Sequence, residues 1–144
     1  MPSFGARSRR NLDTCHPVLT KLMERVVLRF DISIIEGFRN LDRQAELYAS
    51  GMTQIKSGGA HNRMPSMACD ILFYPFLRGD WERKDKFNYM AGFVFSTFWE
   101  MRSDGRLDDG YELVWGGSWD GLLQTDESFL DMPHFEIRRL KVER

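Results

Sequence analysis

The chain is short of cysteine, of histidine and of long apolar runs, and each shortage narrows its chemistry. Only two of its 144 residues are cysteines, Cys15 and Cys69. They form no CxxC pair and no dense framework, so neither a thiolate zinc site nor a disulfide scaffold is expected. No apolar stretch reaches the roughly 20 residues that a membrane-spanning helix needs. Arg7, Arg9 and Arg10 lead into no hydrophobic segment, so residues 1–10 read as a flexible basic tail rather than a Sec signal peptide. Net charge is nearly absent: 20 Lys and Arg face 21 Asp and Glu, which points to neither nucleic acid nor membrane. Internal repeats and low-complexity segments are missing too.

What remains suits one soluble domain over residues 11–144, with a core rich in Phe and Trp. Pro17 opens a helix to about residue 30, because Leu19, Leu22, Met23, Val26, Val27 and Phe30 recur at helical spacing. Asp31 to Glu36 reads as a buried strand stopped by Gly37. Asn40 can cap a second helix that ends at Ser50-Gly51. Met52 to Pro65 has no periodicity, and loops of that length tend to be functional. Met67 to Phe73 is a second strand. Asp80 is expected to cap a long helix carrying Phe87, Met90, Ala91, Val94, Phe98 and Met101. Tyr111 to Trp115 and Phe135 to Leu140 supply two more strands. Without regular βαβ alternation, the expectation is an α+β fold, a small mainly antiparallel sheet with helices packed on one side.

The three histidines are His16, His61 and His134. His16, beside Pro17, reads as structural. His61 lies in a polar, glycine-rich loop nine residues before Asp70, which interrupts the apolar run Met67-Ala68-Cys69-Asp70-Ile71-Leu72. A carboxylate there needs a cation or a strong donor. A metal is one solution; an arginine, Arg39 or Arg63, is the other. Cys69 points away from Asp70 on a strand and reads as a buried free thiol. Asp131-Met132-Pro133-His134 adds a second imidazole with a carboxylate three residues before it. Proline prevents a helix here, so a bend is needed to turn both side chains into one cleft. Asp126 and Glu127 also precede His134, but neither is tied to it by a short proline-containing step. Two imidazoles and one carboxylate from separate segments are a common ligand set for catalytic zinc.

Taken together, His16-Pro17, Ile35-Glu36-Gly37-Phe38-Arg39, Gln44, Leu47-Tyr48, the His61-to-Asp70 loop, Trp115-Gly116-Gly117-Ser118-Trp119 and Asp131-Met132-Pro133-His134-Phe135 resemble one family. It is that of the zinc peptidases of bacterial cell-wall peptides: D-alanyl-D-alanine carboxypeptidases, vancomycin-resistance dipeptidases and phage L-alanyl-D-glutamate endolysins. The resemblance implies a hedgehog/D-Ala-D-Ala-peptidase-like fold and one Zn2+ per chain held by His61, Asp70 and His134. It further implies Asp131 as catalytic base and Arg39 as a catalytic, substrate-contacting residue. Gln44, Ser57 and Trp115 are implied as further substrate-binding positions. Ser66 stands where the family's commoner, shorter His-to-Asp interval has a glycine.

The Trp-Gly-Gly-x-Trp stretch and the Asp-x-Pro-His-Phe ending are most similar to the endolysins. They imply cleavage between L-alanine and D-glutamate in peptidoglycan stem peptides. A D-alanyl-D-alanine carboxypeptidase and a non-catalytic, hedgehog-type zinc-bearing interaction domain are the alternatives. A monomer is expected, made in the cytoplasm and reaching the wall after holin-type release or membrane damage, with no nucleic-acid partner and no stable membrane insertion.

Overall fold

A computed structural model describes residues 2–122 and 130–141. Asp126 and Glu127 lie outside the described residues. Among the described residues four α-helices, α1 (Ala6–Leu12), α2 (Pro17–Val27), α3 (Leu41–Ala49) and α4 (Lys84–Ser103), accompany four strands. The strands are β1 (Ile32–Glu36), β2 (Ala68–Phe73), β3 (Tyr111–Trp115) and β4 (His134–Arg139), in the sheet order β1-β2-β4-β3 with every pair antiparallel. This is the expected α+β architecture.

The core lies between one face of the sheet and the pair α2 and α4. Leu19, Leu22, Met23 and Val26 come from α2, and Phe87, Met90, Val94 and Phe98 from α4. They meet Ile32 and Ile34 of β1, Cys69, Ile71 and Phe73 of β2, and Phe135 and Ile137 of β4. Strand alternation sends the intervening residues, Asp70, His134 and Glu136, to the opposite face.

Local chemistry explains the helix starts. Pro17 stands in the first turn of α2, where its missing N–H costs nothing, and His16 Nδ1 caps that helix by accepting from the Val18 N–H. Asn40 caps α3 by accepting from the Arg43 N–H.

Two expectations are corrected here. Within the flexible tail expected over residues 1–10, residues 6–10 are instead helical, because α1 begins at Ala6 and packs on β1. Ser8 Oγ accepts from the Ile34 N–H, and Asn11 Nδ2 donates to the Ile34 carbonyl. These bonds satisfy the free edge of β1, which an amphipathic period in so short and polar a segment could not have announced. Asp80 does not cap α4 either. It sits within a 3-10 turn, Arg78–Glu82, where its carboxylate accepts from the Leu77 N–H and from Lys86 Nζ.

Candidate active site

Three segments converge on the polar face of the sheet. His61 comes from a 3-10 turn, Ala60–Asn62, inside the long aperiodic loop. That turn is clamped to the segment after β1: the Arg39 N–H donates to the His61 carbonyl at 2.7 Å, and Asn62 Nδ2 donates to the Arg39 carbonyl at 2.7 Å. Asp70 is central in β2 and His134 opens β4, directly opposite each other in register. All three are buried.

The expected bend before His134 is present. The His134 N–H donates to the Asp131 carbonyl at 3.0 Å, closing a turn through Met132 and Pro133. Gly116 holds this turn from both ends, its carbonyl accepting from the Asp131 N–H and its N–H donating to the His134 carbonyl, each at 2.8 Å. A Cβ on Gly116 would collide with the Asp131 carbonyl, and one on Gly117 with the Trp115 ring. The paired glycines are therefore needed for close approach, and they fix where Asp131 stands.

The converging atoms are His61 Nε2, His134 Nδ1 and Asp70 Oδ1. Each imidazole nitrogen lies 3.1–3.2 Å from the carboxylate oxygen, and the two nitrogens are 3.2 Å apart. The far nitrogens define the tautomers. His61 Nδ1 lies 2.7 Å from the Gly37 carbonyl, which can only accept, so Nδ1 carries the hydrogen. His134 Nε2 lies 2.8 Å from Glu136 Oε1 and donates to it. In the neutral imidazoles, three lone pairs then face one point with no hydrogen between them. Such a set calls for a cation, with each ligand oriented by an outer hydrogen bond.

The charge balance agrees. With both imidazoles neutral, Glu36, Asp70, Asp131 and Glu136 surround the point against Arg39 and Arg138, leaving two negative charges that call for a positive one. Burial opposes charge on His134, yet hydrogen bonds to Asp70 and Glu136 push its pKa up to about 10, so that without a cation a proton on Nδ1 takes that place. Burial would raise Asp70, but the two imidazoles hold it far below the usual carboxylate range. Burial, reinforced by the charge of Asp70, pushes Asp131 up to about 6. A divalent ion answers all of this, and two imidazoles with one carboxylate suit zinc.

Asp131 flanks the cluster, with Oδ2 3.9 Å from His134 Nδ1 and about a third of its side chain exposed (36%). Among the described residues its carboxylate accepts no hydrogen bond.

The chain matches the family model described as phage L-alanyl-D-glutamate peptidase over residues 2–138. It belongs to that family. This phage L-alanyl-D-glutamate peptidase relative also resembles the crystal structure of the Serratia marcescens L-Ala D-Glu endopeptidase ChiX. That likeness has a TM-score of 0.67 and 25% identity, covering 95% of this chain and 91% of that one. No curated protein matches it. The family is one of peptidases, so the chain is an enzyme.

The remaining residues anticipated for this peptidase fall differently. Arg39 is buried, not open to substrate: Nε and Nη2 bind both oxygens of Glu36 at 2.8 and 2.7 Å, Nη1 donates to Gln44 at 3.0 Å, and Nη2 lies 3.6 Å from Asp70 Oδ2. It steadies Asp70 from behind. The arginine alternative for Asp70 is thus realised on Oδ2, which leaves Oδ1 toward the two imidazoles. Gln44, 2% exposed, accepts from Arg39 and donates to the Ile55 carbonyl, tying the loop down rather than meeting a ligand. Trp115 belongs to the core face, stacked on Phe135 with its indole N–H donating to the Met132 carbonyl at 2.7 Å. It braces the Asp131 turn. Ser57 is exposed in the loop and has no hydrogen bond to the cluster among the described residues.

Sequence reasoning missed Glu136 and gave Glu36 no place at the cluster. Glu136 was within reach, since it lies two residues beyond His134 on one strand and must share its face. Glu36 was not. A bulge between Ile34 and Glu36 makes Glu36, rather than Ile35, the partner of Asp70.

Proposed function

We propose that the chain is a zinc-dependent, endolysin-like peptidase that hydrolyses the L-alanyl-D-glutamate bond of peptidoglycan stem peptides. The observation that carries this reading is the convergence of His61 Nε2, Asp70 Oδ1 and His134 Nδ1 beside the partly open carboxylate of Asp131. Membership of the phage L-alanyl-D-glutamate peptidase family supports the bond assignment.

His61, Asp70 and His134 would hold one zinc ion per chain, which when bound acidifies a water and polarises a carbonyl. Asp131 accepts a proton from the water that attacks the L-alanine carbonyl carbon. The C–N bond then breaks, and Asp131 returns the proton to the D-glutamate amine as it leaves. Arg39 acts as a positioning residue for Asp70, and Glu136 and the Gly37 carbonyl do the same for the two imidazoles. We take the working form to be a monomer that reaches the wall through a holin or damaged membrane. No described helix is long and apolar enough to cross a bilayer.

Digestion of purified peptidoglycan with zinc-loaded protein tests the reading, by mass spectrometry of the new termini. A D-glutamate amino terminus is the expected product. Release of free D-alanine would move the protein to the carboxypeptidase alternative. A zinc-loaded protein that cuts no wall peptide would instead be the interaction domain.

A further inference from the structure

The Trp-Gly-Gly-x-Trp stretch carries two tryptophans, and the site described above uses only the first. Trp115 lies on the core face, where its ring stacks on Phe135 and its indole N–H holds the Met132 carbonyl. Trp119 goes to the other face. Its ring centroid lies 5.3 Å from that of His134, with the two planes tilted by 45°. The two indoles therefore hold the Asp131-to-His134 turn from opposite sides, Trp115 through the backbone of Met132 and Trp119 through the imidazole itself.

The loop is built to present Trp119 there. Ser118, 2% exposed, anchors it: its N–H donates to the Trp115 carbonyl at 3.0 Å, and its carbonyl accepts from the Gly121 N–H at 3.1 Å. Gly121 takes the left-handed conformation that the second turn needs, with φ of 75°. Asp120 Oδ1 accepts from Ser118 Oγ at 3.3 Å and from the Leu122 N–H at 3.0 Å. Trp119 is half-buried between these anchors and lines a cleft of about 370 Å³ that His134 does not line. Its indole thus covers an imidazole that is itself only 7% exposed.

We propose that Trp119 is a positioning residue for His134, fixing the plane of the ligand imidazole and shielding it from water. The proposal rests on the zinc reading above and adds how one ligand is held. Rotation of an imidazole about its Cβ–Cγ bond is soft, so hydrogen bonds at the ring nitrogens leave a broad range of angles. Glu136 acts only on Nε2, at 2.8 Å. A tilted aromatic contact acts on the ring as a whole and restricts the rotation that remains. An apolar cover also limits the access of water to a metal ligand. Phenylalanine at this position keeps an aromatic contact, and alanine removes it.

Chelator competition for zinc, imidazole NMR of the metal-free protein and stem-peptide kinetics test this in Trp119→Ala and Trp119→Phe. In Trp119→Ala zinc affinity should fall about ten-fold, the upper worth of one aromatic pair, while Trp119→Phe stays within about two-fold of the parent. With zinc saturating, kcat should fall in Trp119→Ala and KM should hold. The His134 ring signals of the metal-free protein should be single and sharp in the parent and in Trp119→Phe, and broadened or doubled in Trp119→Ala. Trp81→Phe, at a ring that packs on Phe76 and Phe87, should change nothing. Unchanged affinity and ring signals in Trp119→Ala, equal losses in both Trp119 variants, or a rise in KM alone would each overturn the role while leaving the zinc reading intact. Should the parent take up no zinc, the zinc reading fails and the ring signals decide. Broadening in Trp119→Ala that Trp119→Phe reverses then supports the role, and sharp signals throughout sink it. Trp119→Leu takes the place of the alanine variant if that one does not fold.

Discussion

On β2 and β4, Cys69, Ile71, Phe135 and Ile137 enter the apolar core at 0–2% exposure, while Asp70, His134 and Glu136 turn to the other face among charged partners. The same short backbone serves both. The apolar face contributes rigidity: Phe135 and Ile71, packed between sheet and helices, hold the strands from which the ligands project. With neutral imidazoles the charged face carries surplus negative charge, which only a bound cation or a proton on His134 offsets. Stability should reside on one face and response to metal on the other.

The largest effect expected from that contrast comes from paired substitutions. Asp70→Ala should abolish zinc uptake and turnover. Phe135→Ala, one residue from His134 but facing inward, should lower stability by about 3–5 kcal/mol while the folded fraction keeps its zinc. Elemental analysis and denaturant melts distinguish the two losses. If Phe135→Ala lost its zinc while still folded, the faces would not be separable.

A smaller effect is expected one layer out from the ligands. Glu136→Gln removes the charge that His134 Nε2 donates to, but keeps an oxygen acceptor. Zinc affinity, read by competition with a chelator, should fall about 10- to 100-fold with the fold unchanged, the usual cost of losing such a partner. Unchanged affinity would mean that the backbone alone orients His134.

Arg39→Lys should have the smallest effect on metal and a measurable one on rate. A lysine cannot grip both oxygens of Glu36 and also reach Gln44 and Asp70. Zinc content should persist, while kcat falls more than KM rises, because Arg39 positions a ligand and does not touch substrate. A pure KM effect would return Arg39 to the substrate-contacting role that its place in the motif suggested.

The fold class and the gathering of His61, Asp70 and His134 were legible, the first from local patterns and the second from local patterns together with the family resemblance. Asp70 interrupts an apolar strand, Pro133 forces the bend before His134, and α2 and α4 repeat at helical spacing. What stayed hidden depends on partners distant in sequence. Trp115 reads as a cleft residue until the pairing of β3 with β4 sets it opposite Phe135 on the core face. Arg39 and Gln44 have side chains that suit a substrate, and only the bulge beside Glu36 shows them turned inward. Helix α1 has a single buried residue, Leu12, and is held through its contacts with β1, which no periodicity reports.

Asp131 distinguishes an enzyme from a carrier of metal, because Gly116 and the turn to His134 hold its carboxylate beside the cluster without making it a ligand. The most direct test is Asp131→Asn, with zinc content and stem-peptide turnover measured on the same preparation. Amide and carboxylate have nearly the same shape, so the variant should keep one zinc per chain and its fold. Turnover should drop by about 10²–10⁴-fold, the usual contribution of a positioned general base. Turnover near the parent rate, with zinc in place, would contradict the account and transfer the base to another carboxylate.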